Sequence, residues 1–96
     1  MTKEKIIEIL KQQRPYLTSQ FGVKRIGLFG SYLSRKHRKK SDIDILIEFE
    51  KPIGFFGFLE LEEYLKKLLK IDVDLVSKKA LKPNIGKYIL KEVIYI

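Results

Sequence analysis

The sequence predicts an α/β fold, a small mixed β-sheet with flanking helices in two or three layers. Segments with helical spacing of apolar residues alternate with short strand-like segments, in the order α-β-(α)-β-α-β-α. The 96 residues suit one small domain, since single domains commonly have about 100–150 residues. A hydrophobic content of 45% can form a core, and the lack of cysteine excludes disulfides and cysteine-ligated metals. We therefore predict one domain over residues 1–96.

The first two elements are a helix and a strand. Apolar residues within 3–21 fall on one broad helical face, with Thr2 as the predicted N-cap and Gly22 as the stop. Pro15 is expected to kink or split this helix. Residues 23–29, VKRIGLF, are predicted to form the first strand.

The second strand, IDILIEF at 43–49, is expected to be central, because continuous aliphatic residues indicate burial on both faces. Pro52 and Gly54 are predicted to end it. The following stretch PIGFFGFL, residues 52–59, contains three phenylalanines around two glycines. Packing of these rings in the core is the default interpretation. An exposed aromatic patch for a protein partner is the alternative.

The remaining elements complete the alternating pattern. Leucines at helical spacing, with acidic residues early and lysines late, predict a helix at 58–70. IDVDLV, residues 71–76, alternates in polarity and is predicted to be a strand. The segment 84–96 after Pro83 is predicted to form a closing helix, or a helix followed by a strand.

Composition narrows the possible environment and partners. The 20 Lys and Arg residues against 12 Asp and Glu give a net charge of +8, which favours phosphate-bearing ligands or polyanionic partners. Thermal adaptation would also explain part of this charge. No apolar run approaches the roughly 20 residues of a membrane span, and the opening MTKEKIIEIL lacks a signal-peptide layout. We therefore expect a cytoplasmic protein without membrane contact.

Three aspartates form the first candidate site. Asp42 and Asp44 lie one residue apart, so on an extended chain their side chains share a face with Cα atoms about 6.5 Å apart. Carboxylates that share a site repel unless a cation lies between them, and oxygen ligands suit Mg²⁺. On the third strand, Asp74 could add a third carboxylate, with Asp72 as its rival. In the alternative interpretation, Ser41 and Asp42 cap a turn and Asp44 is solvated.

Gly30 and Ser31 form the second candidate site, at the end of the first strand. A glycine there lets backbone N–H groups approach a phosphate, and the Ser31 hydroxyl adds a donor. A purely structural turn is the alternative. The basic run RKHRKK at 35–40 follows, and it would be a solvated loop, a steering surface for a nucleotide or partner, or an RNA contact. His37 within it is expected to be solvated rather than a catalytic base.

These motifs resemble a known family. Gly30 and Ser31, ten intervening residues and then Asp42-Ile43-Asp44 are similar to the GS-x10-DxD signature of the minimal nucleotidyltransferases, members of the DNA polymerase β-like superfamily. VDLV at 73–76 looks like the family's third-carboxylate strand, which selects Asp74 over Asp72. The resemblance covers nearly the whole chain and implies a polymerase β-like core.

The resemblance implies a site as well as a fold. It makes Asp42, Asp44 and Asp74 the catalytic and Mg²⁺-binding residues, with ATP as substrate. Gly30 and Ser31 would hold the β- and γ-phosphates of that nucleotide.

The resemblance further implies transfer of AMP from ATP to a tyrosine of a HEPN-domain toxin, for which such proteins are antitoxins. The family usually has Arg and then Gly at the fourth and fifth positions after the motif glycine, where this chain has Ser34 and Arg35. Arg35 is the candidate for the displaced phosphate contact. This departure motivates an alternative hypothesis, a non-catalytic antitoxin that neutralises its partner by occlusion.

An RNA-binding role is not expected. The chain has neither an RRM-like aromatic pair nor a KH-type GxxG loop. Homo- and hetero-oligomers both remain open.

Overall fold

The structure, a computed structural model, describes residues 2–30 and 43–96. Within these ranges lie three α-helices, a short 3-10 helix and one four-stranded sheet. In chain order they are α1 (Lys3–Phe21), β1 (Val23–Phe29), β2 (Ile43–Phe49), α2 (Gly54–Leu69), β3 (Val73–Ser77), the 3-10 helix (Lys78–Ala80), α3 (Pro83–Glu92) and β4 (Ile94–Tyr95). None of the helices described combines the length and apolar character that a membrane span requires.

Helix α1 has the predicted ends. The Thr2 hydroxyl accepts a hydrogen bond of 3.1 Å from the Lys5 backbone N–H, which satisfies one of the orphan donors of the first turn. At the other end Gly22 adopts a left-handed conformation (φ 67°), and its N–H donates to carbonyls of the last turn. The helix is not split at Pro15, which lies inside the continuous helix.

The sheet is mixed, as predicted, with strand order β3-β2-β1-β4. Strand β1 pairs antiparallel with both β2 and β4, whereas β2 and β3 are parallel. Strand β2 is therefore central, as its aliphatic sequence predicts. Ile43, Ile45, Leu46 and Ile47 are all buried, so this strand is covered on both faces near its middle.

Helices α1 and α2 contact each other and pack on one face of the sheet. The helices form one layer and the sheet forms the other. The core between these layers is entirely aliphatic at its buried positions. It consists of Ile6, Leu10, Leu17, Val23, Ile26, Leu28, Ile43, Ile45, Ile47, Leu61, Leu65, Leu69, Val73 and Leu75. Alternate β2 residues thus face the helices, and the residues between them face the opposite side of the sheet.

Helix α2 begins earlier than predicted, at Gly54 instead of residue 58. Phe58 packs against the core, but Phe55 and Phe56 are 70% and 78% exposed. The default interpretation of core packing is therefore wrong for two of the three rings. The reason is helical geometry. Phe58 and Leu61 lie on the side of α2 that packs on the sheet, whereas Phe55 and Phe56 lie on other sides of the helix.

The two C-terminal predictions differ from the structure by only a few residues. Strand β3 is shifted to Val73–Ser77 from the predicted 71–76. The closing segment is a helix followed by a strand, the second of the two predicted forms. This last strand, β4, pairs with β1 on the side away from β2 and thereby adds a fourth strand to the sheet.

Candidate active site

Asp44, the second residue of β2, lies directly against Gly30. The antiparallel register pairs Asp44 with Phe29, so Gly30 is the next residue beyond the paired end of β1. A Cβ atom added to Gly30 would lie 2.0 Å from Asp44 Oδ2 and 2.8 Å from its Cγ. Gly30 also has a positive φ of 81°. The glycine therefore leaves the space that the Asp44 carboxylate occupies.

Asp74, the second residue of β3, is the neighbour of Asp44 across the parallel pairing. Adjacent strands lie about 4.8 Å apart, and paired residues point to the same face, so the two carboxylates share one edge of the sheet. Asp44 is half-buried and Asp74 is exposed. The rival Asp72 precedes the strand, and its backbone carbonyl accepts a 2.9 Å hydrogen bond from Ile43 N–H.

These carboxylates lie on the sheet face opposite the helical core. Along β2 that face carries Asp44, then buried Leu46, then Glu48. At the far end, Glu48 is close to Arg25 (3.9 Å) and Lys78 (3.8 Å). The charge of Glu48 is thus compensated within the protein. Glu48 follows Asp44 by four positions along β2, about 13 Å, so it adds little to the negative charge at the Asp44 and Asp74 end.

The donor chemistry of this edge suits magnesium. Two carboxylates on adjacent strands offer the oxygen ligands that Mg²⁺ takes, and this ion commonly completes its octahedron with water and substrate phosphates. One of the two, the Asp44 carboxylate, occupies the space left by Gly30. Among residues 2–30 and 43–96 no cluster of three or more His, Cys, Asp or Glu side chains is arranged to hold a metal. The described part of the site therefore supplies two carboxylates.

Several predicted site residues lie outside the described residues. They are Ser31, Arg35 and Asp42, together with Ser34, His37 and the rest of the basic run 35–40. The structure thus brings together Gly30, Asp44 and Asp74. The roles assigned to the other positions stay predictions.

Sequence reasoning did not find the contact between Gly30 and the Asp44 carboxylate. The sequence predicts a phosphate-binding turn at Gly30, with a purely structural turn as the alternative. Contact between positions this far apart follows from the β1–β2 register, and no local pattern encodes it.

Comparison with known proteins gives a family match over almost the whole chain. Residues 3–96 match the model of the nucleotidyltransferase domain family. The chain is also 46% identical over 96 residues to the protein adenylyltransferase MntA of Thermococcus cleftensis. That alignment covers 100% of this chain and 97% of the relative.

Solved structures with the same fold include a protein assigned as a minimal nucleotidyltransferase, at 30% identity and a TM-score of 0.81 over 98% of this chain and 95% of that one. A toxin–antitoxin structure with AMP-PNP is 26% identical, with a TM-score of 0.72 over 99% and 72% of the two chains. A tri-AMPylated HEPN toxin of Shewanella oneidensis in complex with an MNT antitoxin gives 26% identity and a TM-score of 0.62, over 96% and 66%.

Proposed function

This chain belongs to the nucleotidyltransferase domain family, and we propose that it is a protein adenylyltransferase that transfers AMP from ATP to a protein acceptor. The observation that carries the proposal is the register of β2 and β3, which pairs Asp44 with Asp74 next to the space left by Gly30. The relative at 46% identity, which is named a protein adenylyltransferase, supports the choice of reaction. Residues 1–96 would act as one domain.

In the proposed reaction, a hydroxyl oxygen of the acceptor attacks the α-phosphorus of ATP. The bond from the α-phosphorus to the bridging oxygen of the β-phosphate breaks, and pyrophosphate leaves with that electron pair. Asp74, which is exposed, would accept the hydroxyl proton, and the Asp44 carboxylate occupies the space that Gly30 leaves. Both aspartates, with Asp42, would hold Mg²⁺, which when bound neutralises charge on the triphosphate.

The nucleotide-binding turn completes the proposed site. The backbone at Gly30 and the Ser31 hydroxyl would bind the β- and γ-phosphates, with Arg35 as a further phosphate contact. The positive φ of Gly30 supports a tight turn at this place. The net charge of +8 would also attract ATP over long range.

We further propose that the acceptor is a tyrosine of a HEPN-domain toxin, so that this protein acts as an antitoxin. The support is the fold likeness to the MNT antitoxin in complex with an AMPylated HEPN toxin.

Transfer of label from α-labelled ATP to a purified HEPN-domain partner in the presence of Mg²⁺ tests the proposal. Asp44→Asn and Asp74→Asn should each reduce transfer by about 100-fold or more, because each removes an anionic oxygen ligand. Asp72→Asn is the matched control, since this exposed carboxylate precedes β3 and is expected to be dispensable. Full transfer by Asp74→Asn together with loss in Asp72→Asn would reverse the assignment.

The alternative function, neutralisation by occlusion, has a separate readout. If Asp44→Asn abolishes transfer but cells expressing the toxin still survive, the protein neutralises its partner without catalysis. Circular dichroism of each variant must first establish that the fold is retained.

A further inference from the structure

An apolar groove lies at the end of the sheet farthest from Asp44 and Asp74. Its volume is about 570 Å³, and it is formed where β2 and β3 end and α2 begins. The residues that matter here are Phe49, Ile53, Phe55, Phe58, Lys78 and Lys79. Phe49 and Phe58 form the floor, since both pack against the core with ring centroids 6.5 Å apart.

The apolar surface continues out of the groove onto α2. Phe55 and Phe56 are 70% and 78% exposed, and their ring centroids are 5.7 Å apart. Leu59 lies on the same side of the helix, four residues after Phe55, and is 42% exposed. Single exposed apolar residues are common, but a contiguous cluster beside a groove is a mark of an interaction site.

The rim of the groove is positive. The acidic side chain that lines the groove is Glu48, and the nearby Arg25 and Lys78 side chains compensate the charge of its carboxylate. Lys79 is exposed. Helix α2 also starts here without an acidic residue in its first turn or a side-chain cap, so the positive end of its dipole faces the rim. An occupant with carboxylates beside its apolar side chains would complement this rim.

Charge and area both disfavour a second copy of this chain as the occupant. Every copy carries a net charge of +8 and would bring the same positive rim. An aromatic side chain buries about 150–250 Å², so the two exposed rings supply well under the roughly 800 Å² per partner of a stable interface. A short segment of a larger partner, with further contacts elsewhere, suits this patch better.

We propose that this groove and the exposed α2 rings dock an acidic segment of the acceptor protein that carries bulky apolar side chains. The proposal rests on the proposed function for the identity of that protein. Phe49 follows Asp44 by five positions along β2, which places its Cα about 16 Å from that of Asp44, and groove-lining Ser77 follows Asp74 by three positions on β3, about 10 Å. Docking and transfer would therefore use different parts of the molecule.

The test measures binding and transfer separately, with the purified HEPN-domain partner as the probe. Titration calorimetry without ATP should give a Kd for Phe55→Ser that is raised about tenfold, as expected for a central aromatic contact. Tyr88→Ser is the matched control, since Tyr88 is 75% exposed and does not line the groove. In transfer assays Phe55→Ser should raise KM for the partner about tenfold with kcat unchanged.

The charge of the rim is tested in the same way. Lys79→Glu should weaken binding by about threefold to tenfold, more at low salt than at high salt. Lys11→Glu, which changes an exposed lysine of α1, should leave the Kd unchanged.

Each outcome of these experiments either supports or overturns the docking proposal. Unchanged binding in Phe55→Ser, or no binding of the partner by the wild type, overturns the docking proposal. Sedimentation equilibrium that shows a wild-type dimer lost in Phe55→Ser would also overturn it, in favour of a second copy. If the partner binds through Phe55 but accepts no label, docking stands and the proposed transfer fails. If KM for the partner is unchanged in Phe55→Ser, the transfer stands and docking fails.

Discussion

At the residue scale, two glycines with similar backbones have different surroundings. Gly22 and Gly30 have φ values of 67° and 81°. A Cβ atom at Gly22 would meet no atom within 4 Å, whereas at Gly30 it would meet the Asp44 carboxylate. The two positions therefore separate the cost of backbone strain from damage to the site.

We expect Gly22→Ala and Gly30→Ala each to lower the free energy of unfolding by about 1 kcal/mol, the cost of a side chain in the left-handed region. Gly30→Ala should in addition reduce adenylyl transfer, since it displaces the Asp44 carboxylate. Urea denaturation and the transfer assay measure the two effects. Equal transfer by both variants would contradict the role given to Gly30.

Tyr64 provides a second residue-scale prediction, on pH dependence. Burial, and after it the nearby Tyr16, raise the pKa of Tyr64 above its usual 10.0. The phenol also donates a hydrogen bond to Gln13 Oε1. A raised pKa means that the protonated phenol stabilises the folded state below pH 10.0 and that this stability is lost as the pH rises through the raised value.

Tyr64→Phe should therefore flatten the decline of the unfolding free energy that sets in above pH 10.0. At pH 7 the variant should lose about 1 kcal/mol with the hydrogen bond. Gln13→Ala is the control, because it breaks the same bond but keeps the ionisable phenol. A decline that is unchanged in Tyr64→Phe would show that another group causes it.

At the element scale, Pro15 lies within the continuous helix α1. A proline in a helix interior removes one backbone hydrogen bond and crowds the preceding turn, at a cost of about 3 kcal/mol. Pro15 is exposed, so its side chain contributes little packing in return. The helix is held instead by its buried face, which includes Ile6, Leu10 and Leu17.

Pro15→Ala should consequently raise the free energy of unfolding by about 1–3 kcal/mol. Gln12→Ala, another exposed position of the same helix, should change it by less than about 0.5 kcal/mol. Chemical denaturation of both variants gives the comparison. Destabilisation by Pro15→Ala would mean that the ring makes contacts that outweigh the missing hydrogen bond.

At the scale of the whole molecule, the proposed ligands should stabilise the fold. A ligand at about 100 times its Kd adds roughly 2.7 kcal/mol, which for a chain of this size shifts Tm by about 10 °C or more. AMP-PNP with Mg²⁺ should give this shift in the wild type and in Asp72→Asn, but not in Asp44→Asn. Thermal unfolding with and without EDTA provides the readout. A shift that survives EDTA would argue against magnesium.

Local sequence patterns were sufficient for the elements whose signals are local. The caps of α1, the extent of β1 and β2, and the central place of β2 all followed from capping residues and runs of aliphatic side chains. The start of α2 was missed by four residues, since Gly54 and Gly57 suggest a loop. Exposure of Phe55 and Phe56 depended on which side of that helix meets the sheet.

The sequence by itself determined the kind of fold, the spacing of the aspartates and the family resemblance, because periodicity, turn residues and motifs are written along the chain. Only the tertiary structure decided that Asp74 stands beside Asp44, that Gly30 leaves room for its carboxylate, and that a groove opens at the far end of the sheet. The physical reason is strand register. It is set by how α1 and α2 pack over the sheet, and a shift of one residue would turn each carboxylate to the opposite face.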